Sequence, residues 1–139
     1  MSELKYIDIK IGDKASFSKT ISETDIYNFA GISGDFNPVH INEEFAKNSL
    51  FKTRIAHGFL GASLISTVLG TKLPGPNTVY ISQELQFKAP VKIGDTLTAE
   101  CEIMEKIDKK KILKIKTTVY NQTGFAVIEG VATVLKYES

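Results

Sequence analysis

A chain of 139 residues with 42% apolar content and a net charge of +1 can bury one working core. The same numbers exclude a disordered segment and a polycationic nucleic-acid tail. The lone cysteine, Cys101, rules out an internal disulfide, and its strand-like setting makes it a buried, inert thiol.

No apolar run approaches the roughly 20 residues that a membrane span requires, and the first ten residues hold no apolar leader. The expectation is a cytoplasmic protein without membrane or nucleic-acid partners. The lysines of 106–116 are broken by Asp108 and have no aromatics between them, which suits a solvated hairpin face better than a polyanion site.

Alternation around Ala15–Ile21 predicts an opening strand. Ser22 then caps a short helix over 23–32, with Asp25 completing an acidic variant of the capping box and Glu23 adding negative charge to the first turn. Ser33-Gly34 ends it. Pro38 disfavours helical backbone at Asn37, so 35–40 is expected to be a compact loop that returns Asp35 toward His40. Asn42 caps another short helix, with Phe45 and Ala46 turned inward.

From Gly58 to about Leu69 there is no charge, as in a buried helix. Small residues recur at every fourth position (Gly58, Ala62, Ser66, Gly70) beside a bulky row of Leu60, Leu64 and Val68. The small row admits close approach of either a packed sheet or a substrate. Leu73-Pro74-Gly75-Pro76 stops the helix.

Four strands follow: 78–87, with a register shift near Gln83-Glu84, then 96–106, 111–121 and 125–137. The last is apolar on both faces through Val127–Leu135, which predicts a central position. A helix hidden on every side needs a sheet that curls around it. The expected class is therefore α+β with a hot-dog fold, an antiparallel sheet wrapped around a central buried helix, in one domain over 1–139. Such a sheet leaves an edge strand and one helix side uncovered, so a homodimer, or a higher homo-oligomer, is expected.

The chemistry concentrates between Gly34 and Leu60. Asp35 and His40 stand five positions apart around Asn37-Pro38, and His57-Gly58 opens the uncharged helix. A carboxylate, an imidazole and a helix start are three parts of a proton-transfer site for a carbonyl substrate. Each has a plainer reading: Asp35 as a turn cap, Asn37 as a loop-orienting residue or a substrate contact, Ser66 as a small helix residue, and His57 as a structural partner of the loop. Two histidines without a cysteine or carboxylate cluster argue against a metal site. No phosphate-cradling glycine loop or nucleophile elbow appears.

The segments GDFNPVH at 34–40, RIAHGFL at 54–60 and QELQFKAPVKIGDTL at 83–97 resemble the MaoC-like hot-dog family, and most of all its short (R)-specific enoyl-CoA hydratases. The resemblance covers residues 10–136. It implies that Asp35 and His40 are the catalytic pair, that Gly58 offers a backbone N–H to a thioester oxygen, and that Ser66 lines the acyl site. Phe59 departs from the methionine of many members, which bears on acyl preference more than on chemistry.

The implied reaction adds water to a trans-2-enoyl-CoA to give an (R)-3-hydroxyacyl-CoA. No cofactor is needed, since CoA is part of the substrate, and the partner is that acyl-CoA thioester. Asp35 can deprotonate the water. His40 can hold the water or deliver the C2 proton, and the sequence does not divide these roles. A dehydratase of carrier-protein thioesters, a hot-dog thioesterase and a non-catalytic acyl-CoA-binding module remain the alternatives. Lys47, Lys52, Arg54 and Lys88 flank the site as candidates for the CoA phosphates.

Overall fold

The computed structural model describes residues 3–138. Five antiparallel strands form one sheet: β1 (Lys14–Thr20), β2 (Thr78–Phe87), β3 (Thr96–Ile107), β4 (Ile112–Tyr120) and β5 (Ala126–Lys136). Their spatial order is β1-β3-β4-β5-β2. Four helices join them: α1 (Glu23–Ser33), α2 (Pro38–Ile41), α3 (Glu43–Ala46) and α4 (Gly58–Thr71). The sheet curls around α4, as in a hot-dog fold.

Alternation decides which face of each strand meets the helix. On β3, Leu97, Ala99, Cys101 and Ile103 are buried while Thr98, Glu100 and Glu102 turn outward. Leu113, Ile115 and Val119 of β4 and Ala132 and Val134 of β5 continue the same surface. Leu60, Leu64, Ile65, Val68 and Leu69 of α4 pack onto it. Cys101 is wholly buried, and desolvation pushes its thiol up to about 12, so it is inert as expected.

The helix is not hidden on every side. Gly58, Phe59, Ser63, Ser66 and Gly70 are exposed, so the small-residue row faces outward and not into the sheet. Ala62 and Ser66 of that row wall an apolar groove of about 630 Å³ together with Tyr80, Ser82, Leu85 and Phe87 of β2. Alternation cannot tell a helix buried within its own chain from one whose bare side awaits another surface.

The predicted caps hold in detail. The Ser22 hydroxyl accepts from the Asp25 N–H and the Asp25 carboxylate accepts from the Ser22 N–H, closing the capping box. Asn42 accepts from the Phe45 N–H at the start of α3. Ala46 is buried as expected, but Phe45 is 52% exposed, since a single turn cannot bury both neighbours. The register of β2 shifts between Tyr80 and Ser82, earlier than the expected Gln83-Glu84.

β5 lies between β4 and β2, the central place its composition predicts. At Gly130, β2 approaches so closely that a Cβ would sit 1.8 Å from the Glu84 carbonyl oxygen. Across this gap the Gln83 amide donates to the buried Thr117 hydroxyl of β4 at 2.9 Å.

The lysine-rich hairpin is solvated at Lys109, Lys110 and Lys111. Lys106 departs from the pattern. Its ammonium donates to the Tyr6 and Ile9 carbonyls and lies 4.4 Å from the Tyr6 ring centroid, pinning the N-terminal segment to the sheet.

Candidate active site

Pro38 sets the site's backbone. The segment 35–40 was expected to be a loop throughout, but Pro38–Ile41 forms one helical turn with proline at its first position and Asn37 as its cap. The Asn37 carbonyl oxygen of the side chain accepts from the Val39 N–H at 3.1 Å. Asn37 is therefore held in a local cap; it is not among the residues lining the cavity described below. Asp35 precedes the turn, and its carboxylate accepts from the Asn37 N–H at 3.2 Å.

That turn aims His40 inward, where it is 8% exposed. Its Nδ1 lies 2.7 Å from the Ile55 carbonyl oxygen. A carbonyl only accepts, so Nδ1 carries the proton and neutral His40 keeps its lone pair on Nε2. Burial lowers the His40 pKa below its ordinary value. The Ile55 carbonyl opposes that shift, charge on His57 adds to it, and Asp35 opposes it.

His57, just before α4, is 3% exposed. Its ring stacks on His40 at 3.9 Å between centroids, with 27° between planes, and meets Phe29 at 4.9 Å. Its Nε2 donates to the Asp35 carbonyl oxygen at 2.8 Å. The loop-bonding role predicted for His57 is thus present; its stacking on His40 was not predicted, because sequence spacing carries no signal for it.

Asp35, His40 and His57 each offer one carboxylate or ring atom within 4.8 Å of the others. The expectation that the histidines lack a nearby carboxylate is therefore corrected. Stacked rings present their in-plane lone pairs side by side, and one nitrogen of each ring is already bonded to a carbonyl.

Asp35, His40, His57, Gly58, Phe29, Ser33 and Phe59 line one cavity of about 370 Å³. A second, of about 360 Å³, shares His40 and Gly58 and is closed by Phe51, Phe87, Pro90 and Ile128. The first N–H groups of α4 have no partner within the helix and carry its positive end, so Gly58 presents a donor to this space. A Cβ on Gly58 would meet the Phe87 ring at 2.8 Å. Ser66 lies two turns further along α4, roughly 12 Å by helical rise. It lines the apolar groove and not the cavity with Asp35.

Of the cations considered for phosphate binding, Arg54 is committed elsewhere. It pairs with Glu23 of α1 and, at 3.4 Å, with Glu43 of α3, and donates to the Tyr27 hydroxyl. It fixes the segment that leads into His57-Gly58. Lys47 and Lys88 pair with Glu44 and Glu129.

Comparison with known proteins extends this picture. Residues 8–124 match the family described as MaoC like domain. The (R)-specific enoyl-CoA hydratase of Rhodospirillum rubrum is 56% identical over 128 residues, covering 92% of this chain and 88% of that protein. Among solved structures, the R-hydratase PhaJ1 from Pseudomonas aeruginosa superposes with a TM-score of 0.93 at 42% identity, covering 99% of this chain and 88% of the other. The (R)-hydratase from Aeromonas caviae, described as involved in PHA biosynthesis, gives 0.90 at 39%, covering 93% and 98%. A shared sheet, a shared helix and likeness along nearly the full length of each relative lead to one conclusion: this chain belongs to the MaoC-like family.

Proposed function

We propose that the protein is an (R)-specific enoyl-CoA hydratase, a hydro-lyase that reversibly adds water to trans-2-enoyl-CoA. The observation that carries this reading is the meeting of the Asp35 carboxylate, the His40 imidazole and the Gly58 helix start in one cavity. The names of the R. rubrum, P. aeruginosa and A. caviae relatives support it.

In this mechanism a water donates one hydrogen to Asp35 and the other to the His40 Nε2 lone pair. Its oxygen bonds to C3 while one proton passes to a base of the pair. The C2=C3 electrons move onto the thioester as an enolate, whose oxygen takes the Gly58 N–H. The enolate returns its electrons to C2, which accepts a proton from the same pair. One water is added and no electron is lost, so no redox cofactor enters. An N–H donor to the developing oxyanion contributes about 10²–10³-fold in rate.

Purified protein is expected to bleach the enone absorbance of crotonyl-CoA and to give the (R)-3-hydroxy product; an (S) product or no bleaching overturns the reading. Comparing CoA with carrier-protein thioesters separates it from a carrier-protein dehydratase. Because His40 must be neutral to accept from water and burial lowers its pKa, activity should persist as pH falls through 6.5 and be lost only at more acid pH. The stability term has the same sign. Unfolded His40 binds a proton before folded His40 does, so stability declines as pH drops below 6.5.

The proposal includes a homodimer. β2 is an edge strand with Val79, Ile81 and Phe87 exposed, and the groove between it and α4 is open. Light scattering should return twice the chain mass; a monomer at micromolar concentration would overturn this part alone.

A further inference from the structure

His57 touches every part of the proposed machinery. It is bonded in the chain to Gly58, donates to the main-chain carbonyl of Asp35 at 2.8 Å, and stacks on His40 at 3.9 Å. Phe29 packs against the same ring, so the imidazole has little room to turn. With Nε2 donating to a carbonyl, neutral His57 has its lone pair on Nδ1. That atom is buried and has no hydrogen-bond partner among the described residues. Leaving a buried acceptor unpaired is costly. A histidine kept only for packing could be replaced by an aromatic hydrocarbon ring at no such cost.

We propose that His57 is a positioning residue, which fixes the Asp35 loop and the His40 ring relative to the amide of Gly58 through one hydrogen bond and one stacked face. This rests on the hydratase reading for its kinetic consequence but not for its geometry. Three elements that meet only in the folded chain are tied by this ring: the loop after α1, the α2 turn and the start of α4. Without it, the carboxylate and the oxygen-binding amide are set by separate pieces of backbone.

The two properties of the ring can be separated. His57→Gln keeps a donor at about the Nε2 position but removes the stacked face, whereas His57→Phe keeps the face and removes the donor. If the tie to Asp35 positions the base, kcat falls on the order of 10- to 100-fold in His57→Phe, with KM changed far less, and is partly restored in His57→Gln. The charged and titratable groups facing His40 are Asp35, His57 and, across the second cavity, Lys88. Removing His57 takes away a neighbour that disfavours the His40 cation, so the acid limb in His57→Gln should move to higher pH.

The chain has two histidines, so long-range proton–nitrogen spectra of the labelled protein are read without ambiguity and without any substrate. The expected result in the free wild-type protein is His40 protonated on Nδ1 and His57 on Nε2. In His57→Gln, the His40 midpoint should be raised. Wild-type kcat and an unmoved acid limb in a folded His57→Phe would overturn the inference. So would a His57 protonated on Nδ1 alone. If the wild-type protein has no hydratase activity, the function is lost, but the tautomers and the His40 shift still decide the positioning claim.

Discussion

Asp35→Asn should lower crotonyl-CoA hydration by about 10²–10⁴-fold while leaving the fold in place. Asp35 is exposed, and the one hydrogen bond its carboxylate accepts, from the Asn37 N–H, can also be accepted by an amide oxygen. The Asp35 carbonyl that holds His57 belongs to the main chain and is unaffected. The substitution removes the basic carboxylate and little else. The expected measurement is a near-complete loss of kcat with a melting temperature close to wild type. Wild-type turnover would refute the assignment of Asp35. Unfolding would call for Asp35→Ser, which removes the base without adding bulk.

The largest effect on stability is expected at Gly130. No side chain fits there unless β2 moves, since a Cβ would lie 1.8 Å from the Glu84 oxygen and 3.1 Å from the Gln83 amide nitrogen. The first contact is with backbone and cannot be relieved by a rotamer change. Gly130→Ala must therefore push β2 off β5 and withdraw the Gln83 amide from Thr117, whose hydroxyl is fully buried. Overpacking and the lost partner together cost about 3 kcal/mol, which corresponds to a fall on the order of 10 °C in melting temperature. Activity should fall as well, because β2 ends in Phe87, the ring against Gly58. A melting temperature within a degree or two of wild type would show that β2 does not approach β5 this closely.

Local chemistry was legible in the sequence wherever one short segment decided the outcome. Ser22 with Asp25, Asn42, and the proline cluster after Thr71 each act within a few residues, and each marks an element boundary in the structure. The interior place of β5 was legible too, although the structure buries chiefly the face of Ile128, Ala132 and Val134 and leaves Glu129, Val131, Thr133 and Leu135 half-buried. The pairing of Asp35 with His40 could be reasoned from the bend that Pro38 imposes, although the bend is a helical turn and not an open loop.

What could not be read depends on groups far apart in the chain. Nothing near His57 announces that His40 will lie across its face, and nothing near Gly58 announces Phe87. Arg54 looked available for a phosphate until the structure placed Glu23 beside it. Gly130 resembles any glycine in a strand until β2 is laid against it. The exposed side of α4 is the instructive case, since its lack of charge signalled burial without saying by what.

The strand order has a consequence for how the molecule is made. Synthesis delivers the acid, both imidazoles and the central helix in the first half of the chain, but the helix then lacks most of the surface it packs against. β1 must wait for β3, some eighty residues later, and β2 for β5, the last element to emerge. Pairings of such long range are slow to form, so the nascent chain holds an uncovered apolar helix until its final strand slides between two already made. Losing β5 would therefore disable a centre to which that strand contributes no proton-transferring group.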